Sequence, residues 1–487
     1  MTTHKHEHFR ITRFARHYDK KTDTYTYNIS YETATTHQTP RTQQIAEAFG
    51  LGTDQQQKFT IYDNTQLKIR PNDIILITGD SGSGKSVLLK AIKRDLKHQA
   101  TDINDLHIDK NKPIIETVDK TFHEALETLS KVGLNDAFLF LRTYKQLSDG
   151  QKTRYKIAKL VENQAQYWII DEFTNTLDRD TAKTVAYNLQ KQARQQNKAV
   201  IAATTHTDLK ADLKPSVHIY KQFGKEITIN YYQNKPAEQC SLTKQMHIEQ
   251  GTTQDWKKLA NHHYRSHKIT APRKIFTLTR NKELCGVIVY SYPPPTCFGR
   301  NHILPKMPMK QLNQQLSIIS RIVIHPKYRT IGLGTKLIKE TLDLAGTQYV
   351  EMPAVMAKYN PFAEKAGMQK ITEQQPSKQA QKITQTLQQL GFNTQTLANQ
   401  KQVLETLQSL NETDLNRIRE AFSENAHIRL MKYFQPNEPY GKKQQYTKEI
   451  RKASLEKLAN QIKICSFLTQ TKAYLFWSKT KRKEKES

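Results

Sequence analysis

Hydrophobic and polar positions alternate along the chain with two different periods, which separate strands from helices. Residues 58–80 contain strand-like runs, and the continuously apolar IILITG leads into a glycine-rich loop. The next segment, SVLLKAIKRDL, has apolar residues at helical spacing. PIIETV predicts a second strand before a helical insert over residues 121–144, and TYTYNISYE indicates a strand near the N-terminus.

The same alternation continues to the end of the chain and predicts its domain organisation. Between residues 152 and 235 apolar strands alternate with amphipathic helices, which predicts a mostly parallel sheet. A polar linker, QNKPAEQCSLTKQ, precedes a second and smaller set of strands and helices. From about Glu373 the chain is glutamine-rich and predicted to be helical. We therefore expect an extension over 1–45, α/β domains over 46–235 and 243–373, and a basic helical region over 374–487.

The charge of the chain points to a polyanionic partner. Its 487 residues hold 75 lysines and arginines against 46 acidic residues, a formal net charge of +29. Such an excess opposes compaction unless an anion is bound, which favours nucleic acid as the partner. Of the two nucleic acids, DNA is expected more than RNA. The segment from Lys432 onward alone carries 14 lysines and arginines against five glutamates. A solvated basic surface is the alternative interpretation.

The sequence contains no apolar run of the roughly 18 residues that a membrane-spanning helix requires, so no membrane partner is expected. MTTHKHEHFR at the N-terminus lacks the apolar core of a signal peptide. The four cysteines are scattered without a CxxC pair. These features predict a reducing, cytoplasmic location and argue against a disulfide framework or a structural zinc site.

The loop GDSGSGKS, residues 79–86, has the spacing of a phosphate-binding loop between a strand and a helix. Its glycines allow backbone N–H groups to surround phosphates, and Lys85 is placed to reach the β- and γ-phosphates. Ser86 is predicted to bind Mg²⁺. The predicted ATP ligands of this loop are Gly79, Ser81, Gly82, Ser83, Gly84, Lys85 and Ser86.

Further motifs follow the phosphate loop in a fixed order. LSDGQ at 147–151 precedes YWIIDE at 167–172, TLD at 176–178 and TTH at 204–206. Asp171 is predicted to hold Mg²⁺ through water, and Glu172 to polarise the attacking water. His206, which ends a third strand, is predicted to sense the γ-phosphate.

This ordered set resembles the ABC ATPase family over roughly residues 45–235. The resemblance implies that Ser148, Gly150 and Gln151 contact ATP held by a second subunit, so that two copies of the chain sandwich the nucleotide. It also implies that Asp178 lies at the seam of that homodimer. The family places a glutamine that contacts Mg²⁺ on the strand before the helical insert. In this chain Glu116 is the expected equivalent of that glutamine. Tyr62, or alternatively Phe59, is expected to stack on adenine.

A second loop, RTIGLG at 329–334, follows the apolar strand RIVIHP and leads into a helix. Its glycines allow a ligand to approach the backbone, and the helix N-terminus offers free N–H groups. Such a loop suits a pyrophosphate. Together with HPKYR and the later YNPFAEKAGM, it resembles the acyl-CoA-binding motif of GNAT acyltransferases, over about residues 243–373. The implied acyl-CoA ligands, with acetyl-CoA the usual donor, are Ile324, Arg329, Thr330, Ile331, Gly332, Leu333 and Gly334.

The acyl-transfer chemistry is less well defined by the sequence. In the GNAT family a tyrosine commonly protonates the departing thiolate, but that position is Ala363 here. Tyr359 is the nearest substitute, with a packing role as the alternative. His325 and Glu351 are further acid–base candidates, and a surface or structural role is the alternative for both.

An ABC ATPase joined to a GNAT domain resembles a small group of microbial and archaeal fusion proteins. On its YPPP loop and NPF end, the second domain is more distantly similar to phage DNA-modifying enzymes of the Mom type. Three functions follow as hypotheses. The first is ATP-dependent acyl transfer to an amine on DNA or RNA. The second is a mechanical or regulatory ATPase on DNA or ribosomes, with a CoA-sensing or inactive GNAT domain. The third is acetylation of protein or small-molecule amines gated by ATP.

Overall fold

The structure is a computed structural model that divides into two compact units. The first unit contains Met1–Ile269, Lys274–Val289 and Arg321–Leu337, and the second contains Thr270–Arg273, Tyr290–Ser320 and Ile338–Ser487. The structure describes residues 10–33, 39–50, 57–119, 121–134, 136–263, 268–354, 361–394, 396–438, 441–469 and 471–479.

The first half of the chain alternates strands and helices from β1 to β9. These elements are β1 (Arg10–Asp19), β2 (Thr24–Thr33), α1 (Pro40–Phe49), β3 (Gln57–Leu67), β4 (Ile74–Thr78), α2 (Lys85–Leu96), β5 (Ala100–Asp102), α3 (Phe122–Lys131), α4 (Ala137–Phe140), α5 (Asp149–Glu162), β6 (Tyr167–Ile170), α6 (Arg179–Gln195), β7 (Ala199–Ala203), α7 (Lys210–Leu213), β8 (Val217–Lys221) and β9 (Ile227–Tyr231).

A six-stranded sheet in the order β5-β6-β7-β4-β8-β9 forms the centre of this region. The first five strands in that order are parallel, and β9 pairs antiparallel with β8. Every side chain of β4 and β7 is buried, as expected for parallel strands covered on both faces. The predicted α/β fold with a mostly parallel sheet is confirmed. The strand ends that precede the predicted ATP motifs all belong to this sheet.

The N-terminal strands form a second, antiparallel sheet in the order β1-β2-β3. The strand predicted from TYTYNISYE is confirmed as β2, whereas β1 and α1 were not predicted. Tyr27 and Ile29 pack in the same core as Ile75 and Ile77 of β4. Residues before position 45 therefore contribute to the core of the first α/β domain.

The segment PIIETV does not form the predicted strand. It forms a single 3₁₀ turn, Ile114–Glu116, in which Thr117 N–H bonds back to Ile114 O at 3.3 Å. Pro113 makes only an isolated bridge to Thr143, and it has no N–H to extend a ladder. The strand prediction was wrong because a short apolar run without periodicity does not distinguish a strand from a buried turn.

The second half of the chain forms the remaining elements. These are β10 (His247–Gln250), α8 (Thr253–Leu259), β11 (Pro272–Arg280), β12 (Glu283–Ser291), α9 (Met309–Gln315), β13 (Leu316–Ile324), α10 (Leu333–Thr341), β14 (Tyr349–Ala354), α11 (Phe362–Lys365), β15 (Gln369–Gln374), α12 (Lys378–Gln389), α13 (Gln400–Ser409), α14 (Glu412–Glu424), α15 (Ile428–Phe434), α16 (Lys443–Arg451), α17 (Leu455–Leu468) and β16 (Lys472–Ser478).

Strands β11, β12 and β13 each contain residues of both units. The first unit contains the order β10-β11-β12-β13, with β10 and β11 antiparallel. The second contains β13-β14-β16-β15, in which β13 and β14 are parallel and β16 is antiparallel to both of its neighbours. The prediction that the second domain is of the α/β class is confirmed. Among the described residues, no helix combines the length and apolar character that a bilayer span requires.

The C-terminal region is helical, as predicted, but it does not remain so to its end. Helices α12–α17 pack around a core that includes Ile383, Leu407, Phe422 and Ile462. The chain then returns as β16 between β14 and β15. The helical prediction is wrong for KAYLFWS, in which five consecutive side chains are buried, as in a strand covered on both faces.

Candidate functional site

The phosphate loop after β4 has a backbone that only glycine tolerates well. Gly79, Gly82 and Gly84 have φ values of 144°, 78° and 99°. A side chain at Gly79 would collide with Lys221 O, and one at Gly84 would meet Ile61 Cγ2. These glycines therefore allow both the turn and the close packing of neighbouring strands.

Lys85 begins α2 directly after this turn. Its Nζ donates to Gly79 O at 2.8 Å and to Asp80 O at 2.6 Å, so the ammonium lies inside the curve of the loop. Partial burial lowers the pKa of Lys85, and the negative charges of Asp171 and Asp80 oppose that effect. Ser86 lies on the exposed side of the helix start. Ser81 and Gly82 are also exposed, whereas Ser83 is buried.

The two acids follow β6, on the same sheet as the phosphate loop. Asp171 Oδ1 accepts a hydrogen bond from Glu172 N–H at 2.9 Å, and Glu172 has a φ of 51°. This backbone conformation is uncommon for a residue other than glycine, and the Glu172 side chain is exposed. His206 follows β7, and burial together with the Arg179 charge lowers its pKa. A neutral His206 at pH 7 can accept or donate a hydrogen bond.

The LSDGQ segment forms the N-terminal cap of α5. Ser148 Oγ accepts from Gln151 N–H at 3.4 Å, and Gln151 Oε1 accepts from Ser148 N–H at 3.0 Å. Gly150 packs beside Leu177, because an added Cβ would lie 3.1 Å from Leu177 Cδ2. Asp178 caps α6 by accepting from Thr181 N–H at 3.2 Å. The segments that contain Ser148 and Asp178 are therefore neighbours.

Two residues assigned to the ATP site are placed differently from expectation. Glu116 is exposed on the 3₁₀ turn rather than on a strand. Tyr62 is fully buried, and its hydroxyl donates to Gly84 O at 2.9 Å. The buried Tyr62 ring packs against the phosphate loop and is not available to stack on adenine. The prediction that Tyr62 stacks on adenine is therefore corrected. Phe59, the alternative, is 47 % exposed.

The second loop lies between β13 and α10, where Pro326–Tyr328 forms a 3₁₀ turn. Gly332 has a φ of 89°, and a Cβ built there would have no neighbouring atom within 4 Å. The backbone is thus open to a ligand at this position. Ile331 and Leu333 are buried, so each can serve a ligand only through its backbone. Gly334 lies in the first turn of α10, and Ile324 ends β13.

The Arg329 side chain turns back over this loop. Its Nε donates to Ile324 O at 2.9 Å, and one terminal nitrogen donates to His262 O at 3.2 Å. Burial lowers the pKa of Arg329, and Asp136 opposes that effect. Thr330 has a φ of 75°, which is strained for a β-branched residue. Its Oγ1 accepts from Asn188 Nδ2 at 2.6 Å, a contact that holds the strained loop.

The acid–base candidates have different surroundings. Tyr359 lies outside the described residues, and Ala363 is buried. His325 Nδ1 accepts from Lys327 N–H at 3.3 Å, and burial followed by the His262 charge lowers the pKa of His325. Glu351 is fully buried and bonded to Arg300 and to the Tyr474 hydroxyl. Its oxygens therefore serve structure.

Cys297, in the proline-rich loop before Arg300, is a thiol that does not ionise near neutral pH. Burial and the nearby Glu351 raise the pKa of Cys297 to about 12. The thiolate form, which is the nucleophile, is therefore scarce at pH 7. Arg300 itself donates to Glu351 and to the carbonyls of Pro294 and Pro295, so its guanidinium holds the proline-rich loop in place.

One group of contacts was not expected from the sequence. Lys327 Nζ lies 3.3 Å from Asp178 Oδ1 and 2.9 Å from Asp180 Oδ2. Arg280 pairs with the same Asp180 oxygen at 2.7 Å. These ion pairs tie the second loop to the start of α6, directly after the TLD motif. The sequence signal was weak, because DRD at 178–180 and HPKYR at 325–329 lie far apart along the chain.

Two family models match separate parts of the chain. The ABC transporter family model matches residues 62–116 and 97–175. The acetyltransferase (GNAT) family model matches residues 242–366. The matches coincide with the two segments that carry the phosphate loops.

Individual relatives match about a third of the chain or less. A zinc import ATP-binding protein, ZnuC, from Histophilus somni is 30% identical over 166 residues, which are 30% of this chain and 61% of that protein. The ribosome protection protein VmlR from Bacillus subtilis is 31% identical over 132 residues, which are 27% of this chain and 24% of that protein. The chain thus spans less than two thirds of either relative.

Among solved structures, the dimeric post-hydrolysis state of the ATP-binding cassette MJ0796 bound to ADP and phosphate is 20% identical. The alignment covers 37% of this chain and 94% of that chain, with a TM-score of 0.31.

Proposed function

From the premise that this chain is an ABC-type ATPase domain fused to a GNAT domain, we propose that it couples ATP hydrolysis to acyl transfer. The acyl donor is acetyl-CoA or a related acyl-CoA, and the acceptor is an amine on nucleic acid, with DNA favoured over RNA. The single observation that carries the coupling is the ion-pair cluster of Lys327 with Asp178 and Asp180.

The ATPase half of the proposal depends on the loop after β4 and the residues that follow β6 and β7. Lys85 and the loop N–H groups bind the phosphates, and Glu172 orients water for attack. The Ser86 hydroxyl and the Asp171 carboxylate are oxygen ligands of the kind that Mg²⁺ prefers, and both follow strands of one sheet. When bound, Mg²⁺ neutralises phosphate charge.

The acyl-transfer half of the proposal depends on the loop between β13 and α10. The open backbone at Gly332 and the N–H groups at the start of α10 suit the pyrophosphate of acyl-CoA. In the transfer step a neutral amine attacks the thioester carbonyl and the C–N bond forms. The C–S bond breaks, the nitrogen loses a proton, and the departing thiolate takes up a proton to leave as the free thiol of CoA. An exocyclic base amine must leave the stack to react in this way.

The proposed coupling between ATP hydrolysis and acyl transfer rests on the ion pairs that Lys327 makes with Asp178 and Asp180. Asp178 lies where the ABC family resemblance places the seam between two ATPase subunits. Lys327 lies in the turn Pro326–Tyr328, directly before the acyl-CoA loop. Closure of an ATP-bound homodimer would change the surroundings of Asp178 and, through Lys327, the loop geometry. We also propose a cytoplasmic location, consistent with four cysteines that form no disulfide among the described residues.

An assay for group transfer tests this function. Isotopically labelled acetyl-CoA is incubated with DNA or RNA in the presence of ATP, and the nucleosides are analysed by mass spectrometry. We expect labelled nucleosides with the wild type, and none with Lys85→Ala, which removes the phosphate ligand of the ATP site. Label on protein or small-molecule amines alone, or equal labelling by Lys85→Ala, would contradict the proposal.

A regulatory ATPase that acts on ribosomes is the second candidate. It is supported by the similarity to a protein named for ribosome protection, and by Ala363 at the position where the GNAT family commonly has its acid. Sedimentation of the chain with ribosomes, with and without ATP, separates the two functions. ATP-dependent ribosome binding without any labelled nucleoside would favour the second candidate.

A further inference from the structure

A cavity of about 310 Å³ lies in the first unit, next to the acyl-CoA loop but not formed by that loop alone. Its wall includes Arg142 from the helical insert, Arg154 from α5, and Arg329. His262 also contributes, and Asp136 is the one carboxylate among the described lining residues. The volume falls at the lower end of the range for small-molecule sites.

Two of the guanidinium groups in this cavity, those of Arg154 and Arg142, have N–H donors without a hydrogen-bond partner among the described residues. Arg154 Nε donates to Gly150 O at 3.2 Å and one terminal nitrogen donates to Gly133 O at 3.1 Å. The other terminal nitrogen has no hydrogen-bond partner in the part of the chain that the structure describes. Arg142 likewise makes no side-chain hydrogen bond or ion pair to a described residue. Guanidinium N–H donors of Arg154 and of the exposed Arg142 are therefore available to a ligand in the cavity.

The charge of the cavity favours an anion. Burial lowers the pKa of Arg154, and the nearby Arg329 contributes to that effect while Asp178 opposes it. Arginine does not lose its proton under ordinary conditions, so both guanidinium groups remain charged and repel each other. Partly buried like charges are costly unless an anion neutralises them. Guanidinium groups bind phosphate oxygens in a bidentate geometry, which favours phosphate over other anions.

We propose that this cavity is a phosphate-binding site whose wall is supplied in part by the ATPase domain through Arg142 and Arg154. Two sources share this chemistry. The first is the phosphorylated nucleotide end of an acyl-CoA bound at the neighbouring loop, which rests on the proposed function. The second is a separate phosphorylated small molecule, which does not.

Such a ligand would be linked to the ATP state of the chain. Arg154 bonds to Gly150 O, and Gln151 also lines the cavity, so two residues of LSDGQ adjoin the bound phosphate. If a conformational change in LSDGQ alters the affinity of the ligand, then ligand binding must shift the equilibrium of that conformational change by the same factor. The ATPase would thereby respond to whether the site is filled.

Calorimetry on the full chain tests the site, in a Lys85→Ala background that silences the other phosphate loop. The probes are CoA, CoA without its 3′-phosphate, and inorganic pyrophosphate. Arg142 is the residue to change, because it is exposed and its replacement should not disturb folding. We expect Arg142→Ala to weaken probe binding by about fivefold and Arg142→Glu to weaken it further. Arg41→Ala, an exposed arginine on α1, is the matched control.

Each outcome decides one question. Loss of affinity at Arg142 for CoA, greater than for the probe without its 3′-phosphate, supports the site and identifies acyl-CoA as the source. The same loss for pyrophosphate without CoA binding supports the site, identifies a separate molecule, and contradicts the acyl-CoA half of the proposed function. CoA binding that is equal in all variants overturns the site and leaves the proposed function intact. No binding of any probe overturns both the site and the acyl-CoA half of the proposed function.

Discussion

At the scale of single residues, Arg300 and Glu351 form a buried ion pair in the second unit. Their side chains are 6% and 0% exposed, and Tyr474 adds a hydrogen bond of 2.8 Å to Glu351. The pair joins the proline-rich loop to β14 and β16. The sequence did not predict this ion pair, because its two residues are 51 positions apart.

We predict that Glu351→Leu destabilises the protein by about 3–5 kcal/mol, because it leaves a buried guanidinium without its counter-charge. Denaturant unfolding measures the change. The double variant Arg300→Met/Glu351→Leu is the control and should recover much of the loss, since it removes both charges. A single variant as stable as the wild type would contradict a structural role for Glu351.

Glu172 gives the second residue-scale prediction. Glu172→Gln should retain ATP and accumulate as a dimer, because the change removes the group that polarises water but none of the nucleotide ligands. Light scattering coupled to size-exclusion chromatography, with ATP and Mg²⁺, measures the mass. Lys85→Ala is the control and should remain monomeric. A Glu172→Gln chain that stays monomeric with ATP would refute the sandwich.

At the scale of elements, β16 shows where sequence patterns stop being informative. The parallel strands and their following loops were predictable, since glycine spacing and apolar runs of four to five residues are local signals. The position of β16 between β14 and β15 depends on pairing with residues 98 or more positions earlier. The Tyr62 hydrogen bond to Gly84 also joins separate elements, and the partners of Lys327 lie 147 and 149 positions earlier in the chain.

Deletion experiments should depend strongly on this strand. We predict that removal of residues 471–487 unfolds or aggregates the second unit, because β14 and β15 lose the strand between them. Removal of residues 480–487, which leaves β16 intact, should change the melting temperature little. Thermal unfolding followed by circular dichroism measures both. Equal stability of the two truncated chains would contradict the placement of β16.

At the scale of the whole molecule, the charge of +29 predicts salt-dependent binding to nucleic acid. We expect log affinity to fall linearly with log salt. Arg451→Gln/Lys452→Gln, at exposed positions where α16 ends, should reduce the slope by up to about 2 if both residues contact phosphates. Lys20→Gln/Lys21→Gln removes the same charge from the first unit and is the control. An affinity indifferent to salt would exclude electrostatic binding.

Acid sensitivity is the second property of the whole chain. Burial lowers the pKa of five described histidines: His206, His218, His262, His325 and His427. Below about pH 6.5 the unfolded chain takes up protons that the folded chain does not, so stability should fall as pH falls through that value. Thermal melts at pH 7.5 and 5.5 measure this.

His427 offers a matched variant for the acid effect. Its Nδ1 caps α15 by accepting from Arg429 N–H at 3.2 Å, an interaction that protonation removes. His427→Asn keeps an acceptor at the cap but does not titrate. We expect this variant to lose less stability between pH 7.5 and 5.5 than the wild type. An unchanged loss would exclude a contribution from this cap.

The late return of β16 also has a consequence during protein synthesis. The 97 residues from 375 to 471 separate β15 from β16, so at ~5–20 residues per second the ribosome needs about 5–20 s to produce them. Throughout that interval β14 and β15 exist as nascent strands with unfilled hydrogen-bonding edges, which are templates for pairing with other chains. Expression yield should therefore depend on translation speed through α12–α17 and on chaperones that shield open strand edges.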